Sequence, residues 1–200
     1  MIKTSKLLKG CLLHRFLITA SSALIFFVIT MLFRQFFNVI AVMSIRPSSL
    51  PPALGLMLGP FGVIGCAIGN LLADIVTGAS LLMSLLGFVA QFTYGILPFL
   101  MWRAIDELKK APYSPVRLSN VWNVIRYIAI ILVNAVIMAS FLGSTMQSIG
   151  ASHFISNATL MLLLNNIVFC IVLGIPIIIL MSAVKLRTAG LYFQLMNVWF

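Results

Sequence analysis

The chain has 200 residues, of which 62% are hydrophobic and only 8% are charged, and its mean hydropathy is +1.16. A soluble domain of this composition would precipitate, so we interpret residues 1–200 as a single integral-membrane domain. The formal net charge is +10, but the basic residues stand singly between apolar runs. They do not form the basic patch with interleaved aromatic residues that binds nucleic acid, so we expect no nucleic-acid partner.

The apolar runs predict six transmembrane helices, judged against the roughly 20 residues that cross a bilayer. In chain order these spans are 16–33, 51–59, 61–77, 81–102, 121–142 and 157–184. The second span is too short to cross without support, and Gly59-Pro60 divides it from the third. Residues 34–50 mix polar and apolar side chains and predict a partly re-entrant or interfacial external loop. The motif Gly174-Ile175-Pro176 predicts a kink in the sixth span.

The lysines and arginines indicate how the spans are oriented. Basic residues precede the first span, connect the fourth to the fifth and follow the sixth, whereas residues 143–156 contain no Lys or Arg. The positive-inside rule assigns the three basic regions to the cytoplasm. Six spans satisfy all three and leave both termini inside, whereas five or seven would put the basic C-terminal segment outside. The predicted fold is therefore an all-α bundle of six membrane helices.

Asp74 is the most unusual residue because it lies inside an apolar segment. It is the only acidic residue outside the Asp106-Glu107 pair, and a carboxylate in hydrocarbon costs at least about 2.5 kcal/mol. The predicted topology puts Asp74 near the external end of the third span and Arg46 in the external loop, so we expect them to form an ion pair. That pair either lines a functional site or only staples the loop to the helix. Asn70 precedes Asp74 by one helical turn and faces the same side.

Further polar side chains recur at similar depth in the fourth, fifth and sixth spans. They are Gln91, Tyr94, Asn134, Asn165 and Asn166. Amides in hydrocarbon need hydrogen bonds, so the group predicts either an interhelical network or a pocket for a polar ligand. The candidate substrate-binding residues are therefore these five together with Arg46, Asn70 and Asp74. Because most are neutral, we expect a ligand recognised by hydrogen bonds and stacking and not a strongly charged ion.

The glycines predict close helix packing. Gly55 and Gly59 are spaced four apart, as are Gly65, Gly69 and Ala73. Small residues at this spacing let membrane helices approach closely, and packing within the chain is a simpler interpretation than a dimer.

Several enzyme motifs are missing from the sequence. It has no Gly-x-x-x-x-Gly-Lys-[Ser/Thr] loop, no His-Glu-x-x-His motif and no Gly-x-Ser-x-Gly elbow, and it has two histidines. Asp74 has no second acid or histidine at helical spacing to share a proton transfer. We therefore expect no catalytic residues, metal or cofactor, and a transporter built on this chain would take its energy from elsewhere.

Three motifs in the middle of the chain carry a family resemblance. LPPALG at 50–55, LGPFG at 58–62 and GCAIGNLLAD at 65–74 resemble the substrate-binding S component of energy-coupling factor (ECF) transporters. The match covers about residues 46–102, and the remainder agrees in topology. The resemblance implies a multi-pass protein of a bacterial or archaeal cell membrane that captures a vitamin-like or nucleobase-like micronutrient. It also implies partners, namely a transmembrane coupling subunit and two ATPase subunits.

The resemblance has departures and alternatives. The family's first helix often carries Ala-x-x-x-Ala for docking on the coupling subunit, and the nearest match here is Thr19-x-x-x-Ala23. The elements Arg-Pro-Ser and Gly-Cys-x-x-x-Asn are similar to those of queuosine-precursor transporters. Related six-span units also serve as membrane sensor regions. A membrane sensor or assembly subunit of a signalling protein is therefore the alternative to a transport-associated binding protein.

Overall fold

A computed structural model describes residues 2–37, 49–108, 116–118, 120–148, 150 and 157–183. These residues fold into helices, and no strand occurs among them. The helices are α1 (Ile2–Phe37), α2 (Leu50–Leu58), α3 (Pro60–Val76), α4 (Leu81–Leu108), α5 (Val121–Ser148), α6 (Asn157–Phe169) and α7 (Ile175–Ala183). A π-helical segment, Cys170–Gly174, joins α6 to α7.

Four helical stretches in the described part are long and apolar enough to cross a membrane. They are Leu12–Gln35, Leu81–Leu108, Val121–Ser148 and Thr159–Ser182. Large apolar side chains on them face outward, including Phe16 at 68% and Leu81 at 70% exposure, as lipid contact would require. The all-helical class and these four spans agree with the sequence. The other two predicted spans are shorter, because α2 has 9 residues and α3 has 17.

The junction of α2 and α3 confirms the predicted break at Gly59-Pro60. Gly59 has a φ of 67°, a conformation that favours glycine, and its N–H donates to the carbonyl of Gly55 at 2.9 Å. Pro60 then begins α3, where its missing N–H is harmless. The chain therefore ends one helix and starts the next within a single residue.

The predicted loop at 34–50 is wrong at both ends. Helix α1 continues through Arg34 and Gln35 to Phe37, and Leu50 already begins α2. Arg34 remains helical because its guanidinium group finds acceptors on α3, as described below. Residues 38–48 lie outside the described residues.

Helices α1 and α3 run parallel, held together by glycines. A Cβ added to Gly65 would lie 2.5 Å from the carbonyl oxygen of Thr19, and one added to Gly69 would lie 2.5 Å from that of Ala23. Residue numbers rise together along both helices, which fixes their relative direction. The packing interpretation of these glycines is therefore confirmed.

The same contact uses the face that was predicted to dock a coupling subunit. Ala23 is buried, and the backbone of Thr19 lies against Gly65. A partner could reach Ala23 only if α1 and α3 first separated, whereas the side chain of Thr19 is half-buried. The docking role of Thr19 and Ala23 stays a prediction.

The remaining helices alternate in direction. Across α3 and α4, Gly87 lies near Asn70 and Gly95 lies near Val63, so these helices are antiparallel. Across α4 and α5, Tyr94 bonds to Asn134 and Trp102 to Arg126 with the opposite order in sequence. The α6–α7 helix is antiparallel to α1, because Phe33 contacts Phe169 while Ile177 packs in the cluster around Phe26. The last turns of α1 and α3 therefore lie at one end of the bundle and the last turns of α4 and α7 at the other.

Candidate functional site

Asp74 lies in a polar cluster where α1, α3 and α4 meet, which we call the Asp74 cluster: Arg34, Asn70, Asp74 and Thr77. The guanidinium group of Arg34 forms an ion pair with Asp74 Oδ1, and it also donates to Thr77 Oγ1 and to the carbonyl of Ala73. Asn70 Nδ2 donates to Asp74 Oδ2 at 2.9 Å. Both oxygens of this largely buried carboxylate therefore have partners, as its desolvation requires.

Helix ends explain why this pair forms here. Asp74 lies in the last turn of α3, where the negative end of the helix dipole repels a carboxylate. Arg34 lies in the last turn of α1, and its guanidinium group contacts both the carboxylate and the carbonyl of Ala73 in the last turn of α3. Side-chain exposure is 28% for Arg34 and 14% for Asp74, so the pair is reachable from outside the bundle. Arg46, the partner expected from the sequence, lies outside the described residues.

Gly87 of α4 forms the third side of the cluster. A Cβ at this position would lie 2.9 Å from Asp74 Oδ2 and 3.0 Å from Asn70 Nδ2. The absence of a side chain therefore leaves room for the carboxylate and the amide together. Gly87 belongs to no repeat of small residues at four-residue spacing, so its role becomes visible only in the packed bundle.

Tyr94 and Asn134 form a second polar contact in the centre of the bundle. Pro98 lies inside α4 and has no N–H, so the carbonyl of Tyr94, four residues earlier, loses its usual helical donor. Asn134 Nδ2 from α5 replaces that donor at 3.0 Å. Asn134 is fully buried, and its Oδ1 has no hydrogen-bond partner. The Asn134 amide, which was expected to bind a ligand, therefore donates its N–H to the carbonyl that Pro98 leaves without a helical donor. Its oxygen remains an unused acceptor.

The π-helical segment lies where the sequence predicts a kink, and Tyr127 contacts it. The Tyr127 hydroxyl donates to the carbonyl of Cys170 at 2.9 Å. A side chain at Gly174 would clash with that hydroxyl. Pro176 follows immediately and cannot donate a backbone hydrogen bond, which explains why the regular α-helical ladder is interrupted here.

Three hydrogen bonds and the backbone of α5 connect four residues in a closed loop, which we call the central ring: Tyr94, Tyr127, Asn134 and Cys170. The Tyr94 hydroxyl lies 2.9 Å from Cys170 Sγ, in addition to the bonds that Tyr94 and Cys170 make with α5. Tyr127 and Asn134 are seven residues apart and therefore share one face of α5. The ring links α4, α5 and the π-helical segment without using any charge.

The other predicted site residues lie between or beside these two groups. Gln91 is half-buried on α4, and its spacing puts it on the same face as Gly87 and Gly95. Asn166 is buried on α6, one turn before Cys170, and Asn165 is half-buried beside it. Of the predicted residues, two thus belong to the Asp74 cluster and two to the central ring, and the two groups lie about 10 Å apart along α4 at 1.5 Å per residue.

A third polar group, at the opposite end of the bundle, was missed by the sequence analysis. Arg126 of α5 donates to Asp106 Oδ1 at 2.6 Å and to the carbonyl of Trp102, and its guanidinium carbon lies 3.9 Å from the centre of the Trp102 ring. Asp106 Oδ2 and Arg126 Nε are buried without a partner. The signal was present, because residues flanking a short connection between antiparallel helices face each other. In the sequence, Asp106 stands out only as a neighbour of Glu107.

The described residues contain no group of three or more His, Cys, Asp or Glu side chains that could hold a metal ion. Fold and site together define the class of a helical membrane protein with buried polar groups at three depths. The chain matches no family model, no curated protein and no solved structure.

Proposed function

We propose that this chain is the membrane-embedded substrate-binding subunit of an ECF-type uptake system for a small vitamin-like or nucleobase-like micronutrient. The Asp74 cluster is the observation that carries the proposal. It is an ion pair inside an apolar bundle, it remains partly exposed, and it joins three helices at one end. A polar site of this kind within membrane helices is a functional-site hypothesis by default.

The substrate site in this proposal extends from the Asp74 cluster towards Gln91. The charges of Arg34 and Asp74 cancel within their ion pair. The side-chain amides of Asn70 and Gln91 each contain both a hydrogen-bond donor and an acceptor. These groups suit a ligand that is held by hydrogen bonds. Asn134 and Tyr94 do not contact the ligand in this proposal. Their hydrogen bonds stabilise α4 near Pro98 and the π-helical segment at Cys170.

Helix directions support the six-crossing topology within this proposal. Because α1 and α3 are parallel and α6–α7 is antiparallel to α1, the start of α1 and the end of α7 belong to the same end of the bundle. Arg103 and Arg117 lie at that end, and the basic residues there favour a cytoplasmic assignment. The Asp74 cluster then faces the outside, where a nutrient would arrive.

A coupling subunit and two ATPases complete the proposed system, since the sequence contains no phosphate-binding loop. Uptake by cells is therefore expected only when those subunits are co-expressed. Accumulation of the nutrient by this chain alone, without ATP, would contradict the ECF assignment.

The decisive experiment is mass spectrometry of small molecules that co-purify with the protein. We expect one compound to be retained by the wild type and by Glu107→Gln, a control at the exposed opposite end. Gly87→Ala should lose most of that compound, because the new Cβ displaces Asp74 and Asn70. Folding of each variant is checked by gel filtration.

The alternative function is a membrane sensor or assembly subunit, and one observation favours it. Both carboxylate oxygens of Asp74 already have partners within the chain, as a purely structural staple would require. Absence of any co-purifying compound, or equal retention in Gly87→Ala, would favour this alternative.

A further inference from the structure

The last long helix is interrupted at its middle, and the interruption is held from outside the helix. The π-helical segment Cys170–Gly174 separates α6 from α7. Its first residue, Cys170, is held twice, by the Tyr127 hydroxyl at its carbonyl and by the Tyr94 hydroxyl at its sulfur. π-Helical turns within α-helices are rare and frequently accompany function.

The geometry at Gly174 shows how closely the widened turn is matched to Tyr127. A Cβ at Gly174 would clash with the tyrosine hydroxyl, whereas the next nearest atom, the ring carbon Cζ, would lie 3.5 Å away in ordinary contact. Tyr127 and Cys170 are both fully buried. The hydroxyl oxygen thus occupies the space that a side chain at Gly174 would take.

We infer that the last membrane helix has a hinge at Cys170–Gly174 and that the central ring holds this hinge in one conformation. The Tyr127 hydroxyl holds the Cys170–Gly174 turn in its widened form, and release of that hydroxyl lets α7 move relative to α6. Because Pro176 has no backbone N–H, the released turn does not close into regular α-helix and remains a point of bending. Helix α5 is the fixed reference, because it presents Tyr127 and Asn134 from one face.

The position of the hinge links the two ends of the bundle. Phe169, at the end of α6, contacts Phe33 one residue before Arg34 of the Asp74 cluster. Helix α7 continues from the hinge to the opposite end. A hinge at Cys170–Gly174 therefore lets one half of the helix stay with the Asp74 cluster while the other half moves. The inference does not depend on the proposed transport function.

The hinge can be tested by pulsed electron–electron double resonance, which measures distances between two spin labels, on the protein in lipid nanodiscs. Spin labels at the exposed positions Val136 of α5 and Leu180 of α7 report the moving half, and labels at Val136 and Leu164 of α6 report the fixed half. Tyr127→Phe should add a second 136–180 distance while the 136–164 distance stays single. Thr30→Val, which removes a buried hydroxyl from α1, is the control and should change neither distance.

Gly174→Ala provides an independent variant. Its Cβ should expel the Tyr127 hydroxyl and produce the same second 136–180 distance. In the Tyr127→Phe background the Cβ meets no hydroxyl, so the double variant should show no more of the second population than either single variant. Unchanged 136–180 distances in folded Tyr127→Phe and Gly174→Ala proteins would overturn the hinge, as would populations that simply add in the double variant.

Discussion

Two arginine–aspartate pairs tie helices together at opposite ends of this bundle, and they differ in burial and in hydrogen bonding. The Arg34–Asp74 pair is 28% and 14% exposed, and both carboxylate oxygens have partners. The Arg126–Asp106 pair is 13% and 9% exposed, and one carboxylate oxygen and one guanidinium nitrogen have none. The more exposed pair is thus the better satisfied one.

The difference in burial predicts that the two pairs contribute differently to stability. A buried pair depends on each partner, because removing one leaves an uncompensated charge. A partly exposed pair can be compensated by water or by a ligand, so its loss affects stability less. We therefore expect Arg126–Asp106 to hold the fold and Arg34–Asp74 to determine what binds.

The largest effect is expected from Arg126→Met. This change removes the partner of Asp106 and also the guanidinium stack on Trp102. Breaking a buried pair from one side costs about 3–5 kcal/mol. Thermal unfolding in detergent, followed by gel filtration, should show a large loss of stability.

The companion variant is the double change Arg126→Met with Asp106→Leu, which removes both charges. It should recover much of the loss, because two apolar residues leave no unpaired charge. A single Arg126→Met protein as stable as wild type would show that this buried pair does not hold the fold.

A smaller loss of stability is expected from Arg34→Met. Asp74 keeps its hydrogen bond from Asn70 and its side chain is 14% exposed, so the loss should be about 1–3 kcal/mol, the range for a stranded polar group. Retention of any co-purifying compound should fall more than stability does. A larger loss of stability than in Arg126→Met would reverse the comparison between the two pairs.

The smallest effect is expected from Glu107→Gln. Glu107 pairs with Arg103 one turn earlier on α4, and its side chain is 68% exposed. Exposed pairs at this helical spacing contribute about 0.3–0.5 kcal/mol. The variant should unfold within a degree or two of wild type, and a clear loss would mean that burial does not set the order of these three pairs.

Helix positions followed from the sequence because apolar runs and proline–glycine punctuation are local signals. The Gly59-Pro60 break and the irregularity before Pro176 were found in this way. The end of α1 was not, since a mixed polar segment predicts a loop unless its charged residue finds a partner elsewhere. Arg34 finds that partner on α3, and only the packed bundle reveals it.

The contacts among the candidate site residues followed from the sequence only within one helix. Asn70 and Asp74 share one helix, so their contact follows from spacing alone. Tyr94 and Asn134 do meet, yet the contact uses the Tyr94 carbonyl and not its ring. Which atoms meet across helices depends on how far one helix slides along another, and a single sequence contains no measure of that offset.

The proline in α4 has a consequence for attempts to stabilise this protein. Replacing a proline inside a helix by alanine is a common engineering step, because it restores a backbone hydrogen bond. Here the restored N–H of residue 98 would compete with Asn134 for the Tyr94 carbonyl. Asn134 is fully buried and already has one unpaired atom. Pro98 thus leaves the Tyr94 carbonyl available as the acceptor for the buried Asn134 amide. Pro98 and Asn134 should therefore be substituted only together.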